Sequence, residues 1–185
     1  ITPPSKDSTM KIFNQILSRK LAEFPEEVLT AVPSLTQATL ALYAQVCEKL
    51  PRTPLKFHYN FNLRNLSSIY EGLYTSSEDK VQNKAHIVRM WRNESMGVFG
   101  DRLINEQDKT FVNEQCIPDL VKRFFNDCVE DVMVNPCLFG DYALSDPSFE
   151  EGEDPRLYED LGNYQTVHEK MEKILEEYNF EHSPM

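Results

Sequence analysis

Glycine is scarce in this chain, with six among 185 residues against eleven prolines. A barrel or propeller built on glycine-rich turns is hard to make from that stock, whereas helices punctuated by proline stops are not. The six glycines are also scattered, so no loop of free backbone amides can cradle a phosphate. G-x-x-x-x-G-K-[ST] and G-x-G-x-x-G are both missing, as are G-x-S-x-G and H-E-x-x-H. Nucleotide hydrolysis, dinucleotide binding, serine hydrolysis and zinc proteolysis therefore lack their usual parts. Positive charge is short as well. Nineteen Lys and Arg stand against thirty Asp and Glu, a formal charge of -11. A field of that sign repels phosphate backbones and anionic lipid, which argues against nucleic acid and membranes as partners. No apolar run approaches the roughly 20 residues of a membrane span. The first ten residues carry neither an apolar targeting core nor an arginine-rich transit pattern, and Ile1 is not an initiator methionine, so the chain reads as a piece of something longer.

Metal and redox chemistry are equally thinly supplied. Cys47, Cys116, Cys128 and Cys137 include no Cys-x-x-Cys and sit in apolar stretches, which predicts buried, reduced thiols and fits a reducing compartment. His58, His86, His168 and His182 never fall three or four residues from one another or from a cysteine, so no single helix presents a ligand pair and no metal is expected. Acid pairs such as Glu150-Glu151 and Glu176-Glu177 read as solvated faces in a chain this acidic, so no catalytic residue is assigned.

What the sequence does hold is helical period. With 41% hydrophobic and 11% aromatic residues there is material for a core, and the expected fold class is all-α. Ser8 is the expected cap of a first helix carrying Phe13, Leu17, Leu21 and Phe24, which Pro25 ends. After a short turn at Glu26 and Glu27, Pro33-Ser34 opens a second, with Ser34 and Gln37 as a capping box and Leu35, Ala38, Leu42 and Val46 as its buried stripe; Pro51 and Pro54 close it. Asn62 caps a third, with Leu63, Leu66, Tyr70 and Leu73 on one side and Gly72 in a frayed or tightly packed last turn. A fourth spans about Asp79 to Glu94, with Val81, Ala85, Val88 and Trp91 inward and a weak point at Gly97. Asp108 and Pro118 mark two further starts.

Charge divides the chain in two. Residues 1–135 hold 16 Lys/Arg and 17 Asp/Glu, a net of -1, while residues 136–185 hold 3 and 13, a net of -10. The change in charge sets a boundary near residue 136. Beyond it Leu138 to Tyr142 reads as extended, Ser145 to Asp154 as an acidic loop, and Asp154-Pro155 as the start of a long amphipathic helix carrying Tyr164, Val167, Met171, Ile174 and Tyr178.

The most informative stretch is Lys56 to Leu73, where an aromatic-rich lead (Phe57, His58, Tyr59, Phe61) delivers the chain into the Asn62-capped helix with Arg64 in its first turn. The positive end of a helix favours an anion, and a guanidinium adds a planar two-donor contact suited to phosphate. The alternative for Arg64 is an ion pair with an acid on a neighbouring helix.

Leu50-Pro51-Arg52-Thr53-Pro54, Phe61-Asn62-Leu63-Arg64-Asn65-Leu66 and Gly72-Leu73 resemble the L-P-T-P, F-N-L-R-D-L and Q-G-L pattern in the helical lid of the third AAA+ module of axonemal dynein heavy chains. Arg89-Met90-Trp91-Arg92-Asn93-Glu94 with Val98-Phe99-Gly100-Asp101-Arg102-Leu103 resembles a second block, R-L-W-x-H-E with V-F-x-D-R-L. Leu138 to Tyr142, Tyr158 to Leu161 and Glu176 to Asn179 resemble the segment that leads into the fourth module. The matches run in order over roughly residues 8–179.

The resemblance implies an AAA+ lid-type helical bundle over residues 1–135, and an extended acidic C-terminal arm, residues 136–185, leading by a long helix into the next module. It implies a nucleotide-sensing lid that couples ATP binding and hydrolysis to conformational change in a minus-end-directed microtubule motor, with Arg64 matching the second sensor arginine at the γ-phosphate. On this reading the chain alone is not an enzyme and holds no cofactor; ATP or ADP with Mg belongs to the parent motor. The implied partners are neighbouring AAA+ modules of the same chain and, through the parent, dynein intermediate and light chains and microtubules. The implied location is the cytoplasm, cytoskeleton and ciliary axoneme. Asn65, Ser68, Asn93 and Gly97 depart from the family's Asp, Arg, His and Arg, which lowers charge around the lid helix. The rival reading is a freestanding acidic helical protein-interaction module.

Overall fold

The computed structural model describes residues 4–142 and 157–182. It is a helical bundle with a two-stranded appendage. Helix α1 spans Lys6–Lys20, α2 Glu26–Lys49, α3 Leu63–Tyr74 and α4 Lys84–Ser95, the last running on into a π-helical segment Met96–Gly100. Next come α5 (Glu106–Thr110), a second π segment (Phe111–Cys116), α6 (Ile117–Phe124) and the single turn α7 (Val129–Val132). Strands β1 (Phe139–Gly140) and β2 (Glu159–Asp160) pair antiparallel, and α8 covers Tyr164–Glu181.

The apolar stripes read from the sequence for the first two helices lie in the core. Phe13, Leu17, Leu21 and Phe24 are all buried, as are Leu35, Ala38, Leu42 and Val46 of α2. Trp91 is completely buried, with its ring 6.2 Å from that of Phe125 just past the end of α6. Its indole Nε1 donates to Thr39 Oγ1 at 2.8 Å, and that hydroxyl donates in turn to Leu35 O at 2.7 Å, so the buried N–H is satisfied. Phe13 stacks on Tyr70 with ring centroids 4.3 Å apart, joining α1 to α3.

Several boundaries differ from the sequence reading. Ser5, not Ser8, caps α1: its hydroxyl accepts from Ser8 N at 3.1 Å. Helix α1 ends at Lys20, and Pro25 is the N-cap of α2 rather than the stop of α1. Helix α2 begins at Glu26 and passes through Pro33 without breaking, so the expected Ser34 and Gln37 capping box does not form. Burial of Val28, Ala31 and Val32 on the near side of the proline and of Leu35 beyond it outweighs the one lost backbone hydrogen bond. Helix α4 starts at Lys84, capped by Asn83, whose side chain accepts from His86 N at 2.9 Å; Val81 is buried but precedes the helix. Gly97 lies inside the π segment rather than breaking the helix. Asp108 sits within α5 and starts nothing, and Pro118 lies in the first turn of α6.

In the arm, residues 157–163 are non-helical, and the long helix begins at Tyr164 on the Asn163 cap, not at Asp154-Pro155, which falls outside the described residues. Gly162, with φ of +69°, makes the left-handed turn between β2 and α8 that a side chain would strain. Cys116 and Cys128 are buried as expected, Cys137 is half-buried, and Cys47 is exposed because it lies off the inward stripe of α2; all four are free thiols. Leu63 also departs from expectation: it is 38% exposed, while Leu66, Tyr70 and Leu73 fill the core. Among the described residues no helix is long and apolar enough to cross a membrane, and no group of three His, Cys, Asp or Glu could hold a metal.

Candidate functional site

Helix α3 enters through a reciprocal cap. The Asn62 side chain accepts from Arg64 N at 2.9 Å, and the Asn62 backbone N–H donates to Asn65 Oδ1 at 2.9 Å. The Asn65 carboxamide supplies this acceptor without bringing a charge. The cap uses the Arg64 amide, so a bound anion here would depend chiefly on the guanidinium. Arg64 itself is exposed in the first turn, and among the described residues no acid lies within salt-bridge distance of it. Beside it, Leu63 and Leu66 join Pro4, Thr9, Leu40 and Tyr43 around a largely apolar pocket of about 330 Å³.

The lead into this helix is braced. Tyr59 is buried, and its hydroxyl donates to Asp108 Oδ2 at 2.8 Å while accepting from Ile104 N at 3.1 Å. Lys56 Nζ reaches the same carboxylate oxygen at 2.5 Å, and a His58 ring nitrogen bonds Arg102 O at 3.2 Å. Phe61 packs on Phe99 at 5.9 Å, with the Arg102 guanidinium 5.6 Å from its ring. Burial holds the Tyr59 hydroxyl above its ordinary range, so it stays a donor. The aromatic residues of the lead therefore fix the start of α3 against the segment between α4 and α5.

A second polar cluster fastens the arm to α4. Arg89 donates through Nε to Asp160, through Nη1 to Val134 O at 2.5 Å and through Nη2 to Pro136 O at 2.6 Å. Arg92 donates through Nη1 to Val132 O at 2.9 Å and Val134 O at 3.1 Å, and through Nη2 to Asn135 Oδ1 at 2.5 Å. Both guanidiniums are buried; planar forks of five donors can satisfy several carbonyls at once, which an ammonium cannot. Just before β2, the Tyr158 hydroxyl donates to Glu94 Oε1 at 2.5 Å, and on β2 Glu159 pairs with Lys80 and Lys170, both at 2.7 Å. Burial and then the Glu94 carboxylate drive the Tyr158 hydroxyl far above its ordinary range. Burial alone would raise the Glu159 carboxyl, but Lys170 and Lys80 outweigh it and hold it below the usual carboxylate value.

Sequence reasoning placed Arg64 in the first turn of α3 and the aromatic lead before it, and both are there. It assigned no role to Arg89 and Arg92. Their signal was two arginines three residues apart among Ile87, Val88, Met90 and Trp91, positions where a charge can be tolerated only with partners.

Comparison with known proteins agrees with this architecture. The profile of the AAA+ lid domain family matches residues 35–135. Dynein axonemal heavy chain 10 of Homo sapiens is 44% identical over 182 residues, 98% of this chain. The dynein-1-alpha heavy chain of the flagellar inner arm I1 complex of Chlamydomonas reinhardtii is 38% identical over 98% of the chain, and dynein axonemal heavy chain 2 of Mus musculus is 33% identical over 97%. In each case the aligned region is 4% of the length of the relative. The chain belongs to the AAA+ lid domain family and is homologous, over nearly its whole length, to a segment of the axonemal dynein heavy chains.

Proposed function

We propose that residues 1–135 are the lid of the third AAA+ module of a dynein heavy chain and that residues 136–185 lead into the fourth. The lid reads the nucleotide state of its module and passes it on as motion in a microtubule motor of the ciliary axoneme. The observation that carries this reading is Arg64: exposed, rigidly presented by the Asn62 and Asn65 cap and the Tyr59 brace, and without an acidic partner among the described residues. An arginine held out in this way is available to an anion brought by another part of the parent chain.

The residues present fit part of a nucleotide site and no more. Arg64 supplies one guanidinium for the γ-phosphate, and nothing in the chain supplies a phosphate loop or its Mg²⁺-holding hydroxyl. ATP with Mg would supply the hydrolysable bond, held by the α/β part of the same module in the parent. Arg64 then makes a contact whose strength depends on whether the terminal phosphate is present, and the bundle, with its continuous core, moves with it as a rigid body. Neighbouring modules of the same chain are the direct partners; intermediate and light chains and microtubules are reached only through the parent.

The test is Arg64→Ala and Arg64→Lys in the parent motor. Loss of one charge-assisted phosphate contact weakens coupling by about 1.5 to 3 kcal/mol, a tenfold to hundredfold change in nucleotide-dependent microtubule release. The 185-residue chain with Arg64→Ala should melt like the wild type, because an exposed first-turn residue without an ion pair contributes little to stability. Normal release by both motor variants, with a destabilised chain, would refute the sensing role.

A further inference from the structure

Helices α3 and α4 meet at Gly72 and Glu94. A Cβ placed on Gly72 would lie 2.1 Å from Glu94 Oε2 and 2.3 Å from its Cδ, so the carboxylate fills the space a side chain would take. The other oxygen, Oε1, accepts from Tyr158 Oη at 2.5 Å and from Asn93 Nδ2 at 3.2 Å, and Asn93 Nδ2 also donates to Tyr158 Oη at 3.0 Å. One carboxylate therefore touches the backbone of the helix that carries Arg64 on one side and the arm on the other. Its anchorage differs from that of its neighbours on β2. Asp160 and Glu159 are ion-paired to Arg89 and to Lys80 and Lys170, whereas among the described residues Glu94 has no cation within salt-bridge distance and is held by neutral donors. Of these contacts between arm and bundle, this one is held without a formal countercharge, and it is the one pressed against α3.

We propose that Glu94 is a joint between α3 and the arm: displacement of α3 along α4 drives the carboxylate off Tyr158 and loosens β2, while the Arg89 contacts keep the arm tethered. The proposal rests on the nucleotide-sensing reading only for what displaces α3. The carboxylate fills the space beside Gly72, so movement of α3 toward α4 at this point requires the carboxylate to leave.

The Leu161 amide, which donates to Leu138 O at 2.9 Å within the arm, reports by hydrogen exchange how firmly the segment carrying β2 is held. In the 185-residue chain, Tyr158→Phe removes the hydroxyl, and Gly72→Ala evicts the carboxylate from the opposite side. Each should accelerate Leu161 exchange about tenfold, as expected for losing a hydrogen bond to a charged group. The double variant should exchange no faster than the faster single, since either change has already broken the same contact. Multiplicative effects, or a Gly72→Ala chain with unchanged Leu161 exchange, overturn the joint. Should Gly72→Ala lose its helical circular dichroism, reciprocity supplies the test from the other side. Tyr158→Phe should then accelerate exchange at Thr75 N, which donates to Gly72 O at 3.1 Å; an unchanged rate overturns the proposal. In the parent chain, exchange along α3 with ADP against a non-hydrolysable ATP analogue tests the sensing reading separately. An α3 indifferent to nucleotide refutes that reading, while the exchange measurements in the 185-residue chain decide the joint.

Discussion

Replacing Arg89 by alanine removes a buried guanidinium from three acceptors at once. Val134 O keeps the Arg92 Nη1 contact at 3.1 Å, but Pro136 O and the Asp160 carboxylate lose the Arg89 donors. An orphaned buried acceptor costs about 1 to 3 kcal/mol, with the half-buried Pro136 carbonyl at the low end, and breaking a fully buried ion pair about 3 to 5. The Asp160 side chain is 29% exposed and regains water, which lowers the second figure. The expected loss is therefore about 2 to 4 kcal/mol, equivalent to a fall in melting temperature of roughly 5 to 15 °C for a chain of this size. Arg89→Lys keeps a charge opposite Asp160 but cannot serve both carbonyls, so it should recover only part of the loss. Asp160→Asn leaves the two carbonyl contacts intact and should cost about 1 kcal/mol. Thermal melts monitored by circular dichroism at neutral pH give all three numbers. An Arg89→Ala chain melting within about 1 °C of wild type, or an Asp160→Asn chain as unstable as Arg89→Ala, would refute the view that the guanidinium works mainly by satisfying the backbone of residues 134–136.

Asn62→Ala removes the acceptor for Arg64 N and should cost about 0.5 to 2 kcal/mol, with faster hydrogen exchange confined to the first turn of α3; an unchanged melt would show that the cap is redundant. The Glu159 carboxyl is held below its ordinary 4.5, so its pairing with Lys80 and Lys170 stabilises the arm above that pH and is lost as pH falls through the lower folded value. Leu161 exchange, corrected for intrinsic rates, should rise as the pH drops below about 4.5, and Glu159→Gln should flatten that rise.

The inward stripes of α1 and α2, and that of α3 apart from Leu63, were legible because spacings of three and four residues put apolar side chains on one face. The Asn62 cap and the first-turn place of Arg64 were legible for the same reason: a cap acts within four residues. Local rules failed where long-range packing outweighed them. Pro33 reads as a helix start, but the apolar residues on both sides of it are buried in the same core, so α2 continues. Asp108 reads as a cap, yet it is buried in α5 against Tyr59 and Lys56, which lie 49 and 52 residues earlier. The arm's attachment was invisible in the sequence, because the donors of Arg89 and Arg92 and the carboxylate of Glu94 find partners 40 to 71 residues away. The apolar stripes of α1 and α2 and the Asn62 cap are local features and were set by the order of the residues. Which buried charges meet, and so how the lid is fastened to the arm, was decided only when the tertiary structure brought α4, the turn at 132–136 and β2 together. A buried guanidinium needs a set of acceptors, and no periodicity in the chain says where those acceptors are.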